Sequence, residues 1–187
     1  MRKILYVIIT LAVVMLGVFF VKENKKNVSL HTTNRKVDLK QFEYVNKDDN
    51  TDGIVRIYKN GKWGVADKDG NLIADVNYDT VDNFYEGRAI VSENGKYGFI
   101  DLDSNIIVKP KYMFAYPFVN GYAVIQGENE KYGAIDKQGN VVIEPLYYDY
   151  ISSFDINGYA KAMNFADGKN VAIDINGEII KDFNAKK

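Results

Sequence analysis

The chain has 187 residues, of which 47% are hydrophobic and 26% charged, a composition typical of a folded protein and not of a disordered one. It contains no cysteine, which excludes disulfide scaffolds, cysteine-ligated zinc sites and thiol nucleophiles. The net charge is −1, and Lys and Arg are concentrated in residues 1–40, so the remainder is mildly acidic. Because nucleic-acid binding needs clustered cations, this balance argues against a nucleic-acid partner.

The N-terminal segment has the pattern of a membrane anchor. Arg2 and Lys3 precede an uncharged, apolar run from Ile4 to Val21. As a helix this run would span about 27 Å, close to the thickness of the hydrocarbon core of a bilayer. A core helix that is apolar on every face would need a large protein around it. The sequence therefore predicts one transmembrane helix within a signal anchor that covers residues 1–26, and a membrane as a partner of the chain.

The end of the apolar run does not suit signal peptidase, which requires small residues in an Ala-x-Ala-like arrangement. Gly17 is the only small residue in the stretch from Leu16 to Val21. We therefore expect an uncleaved, single-pass anchor with the following domain outside the cytoplasm. Secretion after cleavage is the alternative.

Residues 27–41 are polar and mixed in charge, which predicts a flexible tether before a folded domain at 42–187. The only histidine, His31, lies in this tether and cannot belong to a catalytic triad of the domain. Phosphate-binding glycine loops and His-rich metal motifs are absent from the sequence, and nothing singles out a pair of carboxylates. We therefore predict a non-enzymatic protein with no catalytic residue, no cofactor, no metal site and no small-molecule substrate.

The domain is built from a repeated unit of about 35 residues. The segment 61–73, Gly-Lys-Trp-Gly-Val-Ala-Asp-Lys-Asp-Gly-Asn-Leu-Ile, recurs at 95–107, at 130–142 and, in divergent form, at 168–180. The second half of the unit recurs as an aromatic pattern, Phe-x-x-Gly-x-Ala, which begins at Phe84, Phe118 and Phe154. The copy at Phe154 carries one extra residue.

Local patterns within the unit predict β-strands. Asn60-Gly61 and Asn94-Gly95 lie between apolar segments, and Asn-Gly is a strong hairpin signal because both turn residues need positive φ. Each unit is expected to contain about three short strands closed by an aromatic loop. A unit of this size cannot bury its apolar face alone, so neighbouring units should stack, with the divergent first and last copies as caps.

These motifs together, Gly-Lys-Trp-Gly, Asp-x-x-Gly-Asn, Pro-x-Tyr and Phe-x-x-Gly-x-Ala, resemble the WG (KWG) repeat family over about residues 52–180. The chain departs from the pattern where Tyr97 and Tyr132 replace tryptophan and where Asn170-Val171 replaces the aromatic-glycine pair. The resemblance implies a bacterial, often surface-associated scaffold or binding protein, and no specific chemistry. The predicted fold is all-β, an open or curved stack of antiparallel hairpin repeats. A small closed propeller is the alternative.

Asp67, Asp69 and Asn71 have a spacing that suggests a calcium loop, with a weaker copy at 101–105. An EF-hand loop, however, needs glycine at its sixth position and a bidentate carboxylate at its twelfth, where this chain has Tyr78. The preferred interpretation is a turn in which the aspartate binds its own backbone.

The chain has 14 tyrosines, and aromatic faces stack on sugar rings, so exposed tyrosines would suit a glycan-binding platform. Filling of the core is the preferred alternative. The candidates for the platform are Tyr85, Tyr112, Tyr116, Tyr122, Tyr147 and Tyr148. The predicted function is an interaction module with a protein or cell-wall partner, and binding of cell-wall glycans is the alternative.

Overall fold

The computed structural model describes residues 35–185 as an all-β unit. The folded unit begins at Arg35, so residues 35–41, assigned to the tether by their composition, belong to it. One 3-10 turn, Leu39–Gln41, precedes the strands. The predicted anchor at 1–26 lies outside the described residues, and between 35 and 185 no helix is long and apolar enough to cross a membrane.

The strands form four antiparallel sheets of four strands each, in chain order. Sheet 1 contains β1 (Tyr44–Lys47), β2 (Ile54–Lys59), β3 (Lys62–Asp67) and β4 (Leu72–Tyr78). Sheet 2 contains β5 (Thr80–Val81), β6 (Arg88–Glu93), β7 (Lys96–Asp101) and β8 (Ile106–Tyr112). Sheet 3 contains β9 (Phe114–Ala115), β10 (Tyr122–Gln126), β11 (Tyr132–Asp136) and β12 (Val141–Tyr148). Sheet 4 contains β13 (Tyr150–Ile151), β14 (Ala160–Asn164), β15 (Lys169–Ile173) and β16 (Ile179–Asp182).

The prediction of an all-β repeat fold is confirmed, but the predicted number of strands per unit is wrong. Each unit has four strands, because a short strand directly follows the outer strand of the preceding sheet. In sheets 2 to 4 this first strand has only two residues, as in Phe114–Ala115. Alternation of polar and apolar residues cannot be recognised over two positions, so the sequence pattern did not reveal these strands. The divergent fourth unit forms a complete sheet.

The two glycines of the Gly-Lys-aromatic-Gly motif have different structural roles. The first follows asparagine in a hairpin turn, where Asn94 and Gly95 have φ of 52° and 72°, as the Asn-Gly signal predicts. The second lies in the third strand of sheets 1 to 3, beneath a bulge of the outer strand. A Cβ atom at Gly98 would lie 2.3 Å from the Val108 carbonyl oxygen, so only glycine fits. Pro110 lies in the same bulged stretch, where the ladder register shifts.

Three of the buried clusters lie between consecutive sheets. At each junction the phenylalanine of Phe-x-x-Gly-x-Ala is central, since Phe84, Phe118 and Phe154 are at most 2% exposed. Adjacent residues of one strand pack into two different junctions. Phe99 packs toward sheet 3, whereas Ile100 packs toward sheet 1. The inner sheets are therefore buried on both faces, and each depends on its neighbours.

The two end sheets have different outer faces. Val55, Ile57 and Ala66 of sheet 1 are covered by Val37 and Leu39 of the N-terminal segment, together with Phe42. On the outer face of sheet 4 a cross-strand row contains Lys161, Ala172 and Lys181. The equivalent rows of the inner sheets are apolar: Ile90, Phe99 and Val108 in sheet 2, and Val124, Ala134 and Ile143 in sheet 3. Lysines at these positions suit a face that meets solvent and ends the array.

Replacing Phe118 by alanine is expected to lower the free energy of unfolding by about 3–5 kcal/mol, because it leaves a cavity in the junction between sheets 2 and 3. Phe165→Ala is the matched control, since Phe165 is 70% exposed. Urea denaturation measures both variants. Equal effects of the two substitutions would contradict the central position of Phe118.

The double substitution Lys161→Val and Lys181→Val would restore the apolar row of an inner sheet on sheet 4. We expect concentration-dependent self-association of this variant, because an exposed apolar sheet face associates with other apolar surfaces. Sedimentation velocity measures the effect, and Lys68→Val, on an exposed turn, is the control for loss of charge. A monomeric double variant would show that these lysines do not keep the end face free.

Candidate interaction surface

Aromatic residues recur at one end of the sheets, which we call the hairpin end because it carries the turns at 60–61 and 94–95. In sheet 1 a cross-strand row contains Tyr44, Tyr58, Trp63 and Tyr78. The Tyr58 ring lies 5.5 Å from that of Tyr44 and 4.9 Å from that of Trp63. The tryptophan position of the motif therefore forms part of an aromatic band across the end of the sheet.

In the middle of the array the aromatic band joins two sheets. Tyr97 of β7 and Phe114, Tyr116 and Tyr132 of sheet 3 form what we call the aromatic cluster. Consecutive ring centroids, taken from Tyr97 through Phe114 and Tyr116 to Tyr132, are 5.5, 5.1 and 6.5 Å apart. Phe114 is 40% exposed and Tyr116 is 39% exposed, whereas the other two rings are half-buried. Burial and the neighbouring Tyr116 raise the pKa of Tyr132 above its ordinary value.

The lysine of the repeat motif forms an ion pair with the next sheet. Lys62 bonds to Asp79, and Lys131 Nζ lies 2.7 Å from Asp149 Oδ1. Asp79 also accepts the backbone N–H of Asn94, at 2.7 Å, so it ties the hairpin turn of its own sheet to the preceding sheet. At the middle junction the carboxylate is replaced by Met113.

Met113 changes the edge of the aromatic cluster. Lys96, which has no aspartate opposite it, lies 3.0 Å from the Met113 sulfur and forms an ion pair with Glu128 at 2.9 Å. Met113 is 40% exposed and precedes Phe114 in the chain. The methionine therefore extends the apolar surface of the cluster at the one junction where the aspartate is missing.

The six tyrosines that were candidates for a platform do not lie on one common surface. Tyr112 and Tyr148 are 5% and 6% exposed and belong to the core, as the core-filling alternative predicts. Tyr116 belongs to the aromatic cluster. The hydroxyl of exposed Tyr147 donates to Asp167, and this bond raises the pKa of Tyr147 to about 12. The remaining two, Tyr85 and Tyr122, lie in or next to the Phe-x-x-Gly loops of their sheets.

Sequence reasoning missed Phe114 and did not single out Tyr97 or Tyr132 as surface residues. The position of Phe114 is occupied by Tyr44, Thr80 and Tyr150 in the other sheets, according to the strand register. Alignment of these short first strands would have shown that three of the four residues are aromatic. These strands could not be aligned beforehand, because they are only two residues long in sheets 2 to 4.

The loop aspartates form turns that bind their own backbone, as the preferred interpretation predicts. Asp136 Oδ1 accepts the backbone N–H groups of Gln138 and Asn140, each at 2.9 Å, and Oδ2 accepts the Asn140 amide at 2.9 Å. Asp67 and Asp101 have the same pattern. Partial burial opposes ionisation of Asp136, but these hydrogen bonds outweigh it and hold its pKa below the ordinary value. Between residues 35 and 185, no group of three or more Asp, Glu or His side chains is placed to hold a metal ion.

Comparison with known proteins identifies the repeat. A family described as WG containing repeat matches three consecutive segments, residues 63–97, 97–132 and 132–169, which together span more than half of the chain. No curated protein gives a significant match to the sequence.

Similar solved structures include the WD40 beta propeller domain of Doa1, with 11% identity and a TM-score of 0.37, covering 74% of this chain and 53% of that one. Another is the extracellular domain of BT3049 from B. thetaiotaomicron, a protein described as a hybrid two component system. It has 14% identity and a TM-score of 0.39, over 81% of this chain and 23% of that one. The chain thus spans about half and about a quarter of these two structures, and both likenesses are distant.

Asp79 gives a pH-dependent prediction. The hydrogen bond from Lys62, followed by that from the Asn94 backbone, lowers the pKa of Asp79 below its ordinary value of 3.8. A carboxylate with a lowered folded-state pKa stabilises the fold above its unfolded pKa, and this contribution is lost as the pH falls through the folded pKa. Asp79→Asn should therefore lower the urea midpoint at pH 7 and have a smaller effect at about pH 3.

Asp69→Asn, in an exposed turn of sheet 1, is the control for removal of a surface carboxylate. An effect of Asp79→Asn that is the same at both pH values would contradict the ionic role of Asp79.

Proposed function

The chain belongs to the WG containing repeat family, and we propose that its repeat domain is a non-enzymatic interaction module that contacts a protein of the cell envelope through the aromatic cluster. The observation that carries this proposal is the group of four contiguous rings, with Phe114 and Tyr116 about two-fifths exposed and Met113 beside them. Aromatic residues and methionine are enriched at protein interfaces, and tyrosine is common among the residues that dominate binding energy.

The orientation of the rings favours a protein partner over a sugar chain at this surface. Neighbouring rings in the cluster are inclined by 54°, 69° and 40°, so their faces do not form one flat platform. A flat platform is what a row of sugar rings would need. An irregular aromatic surface suits the side chains of a protein, which pack edge-to-face and into gaps between rings.

The placement of the domain is part of the proposal. The apolar run from Ile4 to Val21 would hold the chain in the membrane as a single-pass anchor, with the repeat domain on the extracytoplasmic side. A partner would then be another membrane or cell-wall-associated protein. An anchored module benefits from a high local concentration of such partners, so a modest affinity is sufficient for stable contact.

The test is site-specific photocrosslinking in the membranes of the source cell. A photoreactive phenylalanine analogue in place of Phe114 in the full chain is expected to crosslink to one protein, which mass spectrometry identifies. The control carries the analogue at Tyr85, which is 42% exposed and does not belong to the aromatic cluster. The double variant Phe114→Ala and Tyr116→Ala should then weaken binding to the purified partner by about tenfold or more.

Equal crosslinking at Tyr85 and Phe114 would contradict the aromatic cluster as the contact surface. Unchanged affinity of the double variant would do the same.

A further inference from the structure

A cleft lies between sheets 3 and 4, among residues that do not belong to the aromatic cluster. Its volume is 460 Å³, and we call it the junction cleft. Two loops of sheet 4 contribute most of its wall, at 155–159 and 174–175, and Asn120 and Tyr122 of sheet 3 complete it. The volume lies in the range of about 300–1,000 Å³ that is typical of small-molecule sites.

The positions that surround the cleft carry different residues at the three junctions. Strand register makes Ile54, Arg88 and Tyr122 equivalent, because each pairs with the loop aspartate of its own sheet. At the junction of sheets 1 and 2, Ile54 and Leu102 pack against the core, as Tyr122 and Ile175 do at the junction of sheets 3 and 4.

At the junction of sheets 2 and 3 the filling is ionic. Lys137 forms a 3.0 Å ion pair with Glu86, and Arg88 Nε donates to the Lys137 carbonyl oxygen at 3.2 Å. At the third junction Asn120 takes the place of Glu86 and Ile175 the place of Lys137, so this ion pair has no counterpart there. Asn120 instead donates a hydrogen bond to the Phe154 carbonyl oxygen at 2.8 Å, and both Asn120 and Ile175 line the cleft.

The extra residue in the Phe154 loop shapes the other wall. The loop folds around Asp155, whose Oδ1 accepts the backbone N–H groups of Asn157 and Tyr159 at 2.8 and 3.0 Å. The Asp174 turn has the same pattern, with Oδ1 bonded at 2.9 Å to the N–H groups of both Asn176 and Glu178. Asp155 and Asp174 therefore form two neighbouring turns beside the cleft. The shorter loops of sheets 2 and 3 have no aspartate at the position of Asp155.

The lining of the cleft combines aromatic rings with hydrogen-bonding groups. Tyr122 and Tyr159 provide two rings, and Tyr159 is 43% exposed. Asn120, Asn157 and the two aspartates provide amide and carboxylate oxygens, which accept hydrogen bonds from hydroxyl groups. Neither lysine nor arginine is among the lining residues, so an anionic ligand would find no counter-charge.

We infer that the junction cleft binds one or two units of a neutral saccharide, with the Tyr159 ring against a sugar face and the Asn and Asp side chains on its hydroxyls. This inference deepens the glycan-binding alternative and places it in a different site from the proposed protein contact. The two proposals can therefore fail separately.

The test is calorimetric titration of the full chain in detergent micelles with chitotetraose and cellotetraose, and with tetragalacturonate as an anionic counterpart. We expect saturable binding of at least one neutral tetrasaccharide at micromolar to millimolar concentration, and weaker binding of the anionic one. Tyr159→Ala should weaken binding by about tenfold, the size of one lost aromatic contact. Tyr85→Ala, in the equivalent loop of sheet 2, and Tyr116→Ala, in the aromatic cluster, should leave the affinity unchanged.

Deletion of Asn157 shortens the loop to the length found in sheets 2 and 3 and should abolish binding while the far-ultraviolet circular dichroism spectrum is retained. Three results would overturn the inference: no binding of either neutral probe at millimolar concentration, equal or tighter binding of tetragalacturonate, or a loss of affinity with Tyr116→Ala in place of Tyr159→Ala. The third result would move the sugar to the aromatic cluster and leave the cleft without a ligand.

Discussion

The structure depends on one constraint, namely that a four-stranded sheet with two apolar faces must have a neighbour on each side. Phe99 and Ile100 are adjacent in β7 and are 1% and 2% exposed, yet they pack into different junctions. Side chains alternate across a strand, so burial of both requires two flanking sheets. Stability is thus shared between repeats, as in other arrays where each unit contacts only its neighbours. The tight glycines and the junction phenylalanines of the motif serve this stacking, and they leave the hairpin end and the opposite loops free to vary.

Both candidate binding sites arise where a repeat departs from its own pattern. Met113 stands where Asp79 and Asp149 hold the lysine of the preceding sheet, and the apolar edge of the aromatic cluster follows from that replacement. The junction cleft is lined by Asn120 and Ile175, which stand where the junction of sheets 2 and 3 has an ion pair, and by the loop with one inserted residue. The conserved geometry of the stack keeps these variable positions at fixed places. Binding sites in such an array are therefore expected at positions where one repeat differs from the others, and not in the shared motif.

The repeat motif made the fold class predictable, because turn chemistry and spacing are local properties. Asn94-Gly95 and the Asp136 turn could be predicted from residues next to each other, and both are found in the structure. Which aromatic side chains are exposed could not be predicted from residues that are neighbours in the chain. Tyr147 and Tyr148 are consecutive, yet the first is 41% exposed and the second 6%, because they lie on opposite sides of a strand that is bulged near its end. The rings of Tyr97 and Phe114 meet only when two sheets stack, which no single repeat specifies.

The outer faces of the two end sheets have different chemistry. Sheet 1 keeps an apolar outer face, and the chain itself covers it with Val37 and Leu39. Sheet 4 has no such cover in the described residues and instead carries Lys161 and Lys181, where Val124 and Ile143 lie in sheet 3. A further sheet stacked on this face would have to pair or displace both ammonium groups, as the guanidinium of Arg56, at the position of Lys161 in sheet 1, is paired with the Val81 carbonyl oxygen. The outer face of sheet 1 is thus covered by apolar residues of the chain itself, whereas that of sheet 4 exposes two lysines.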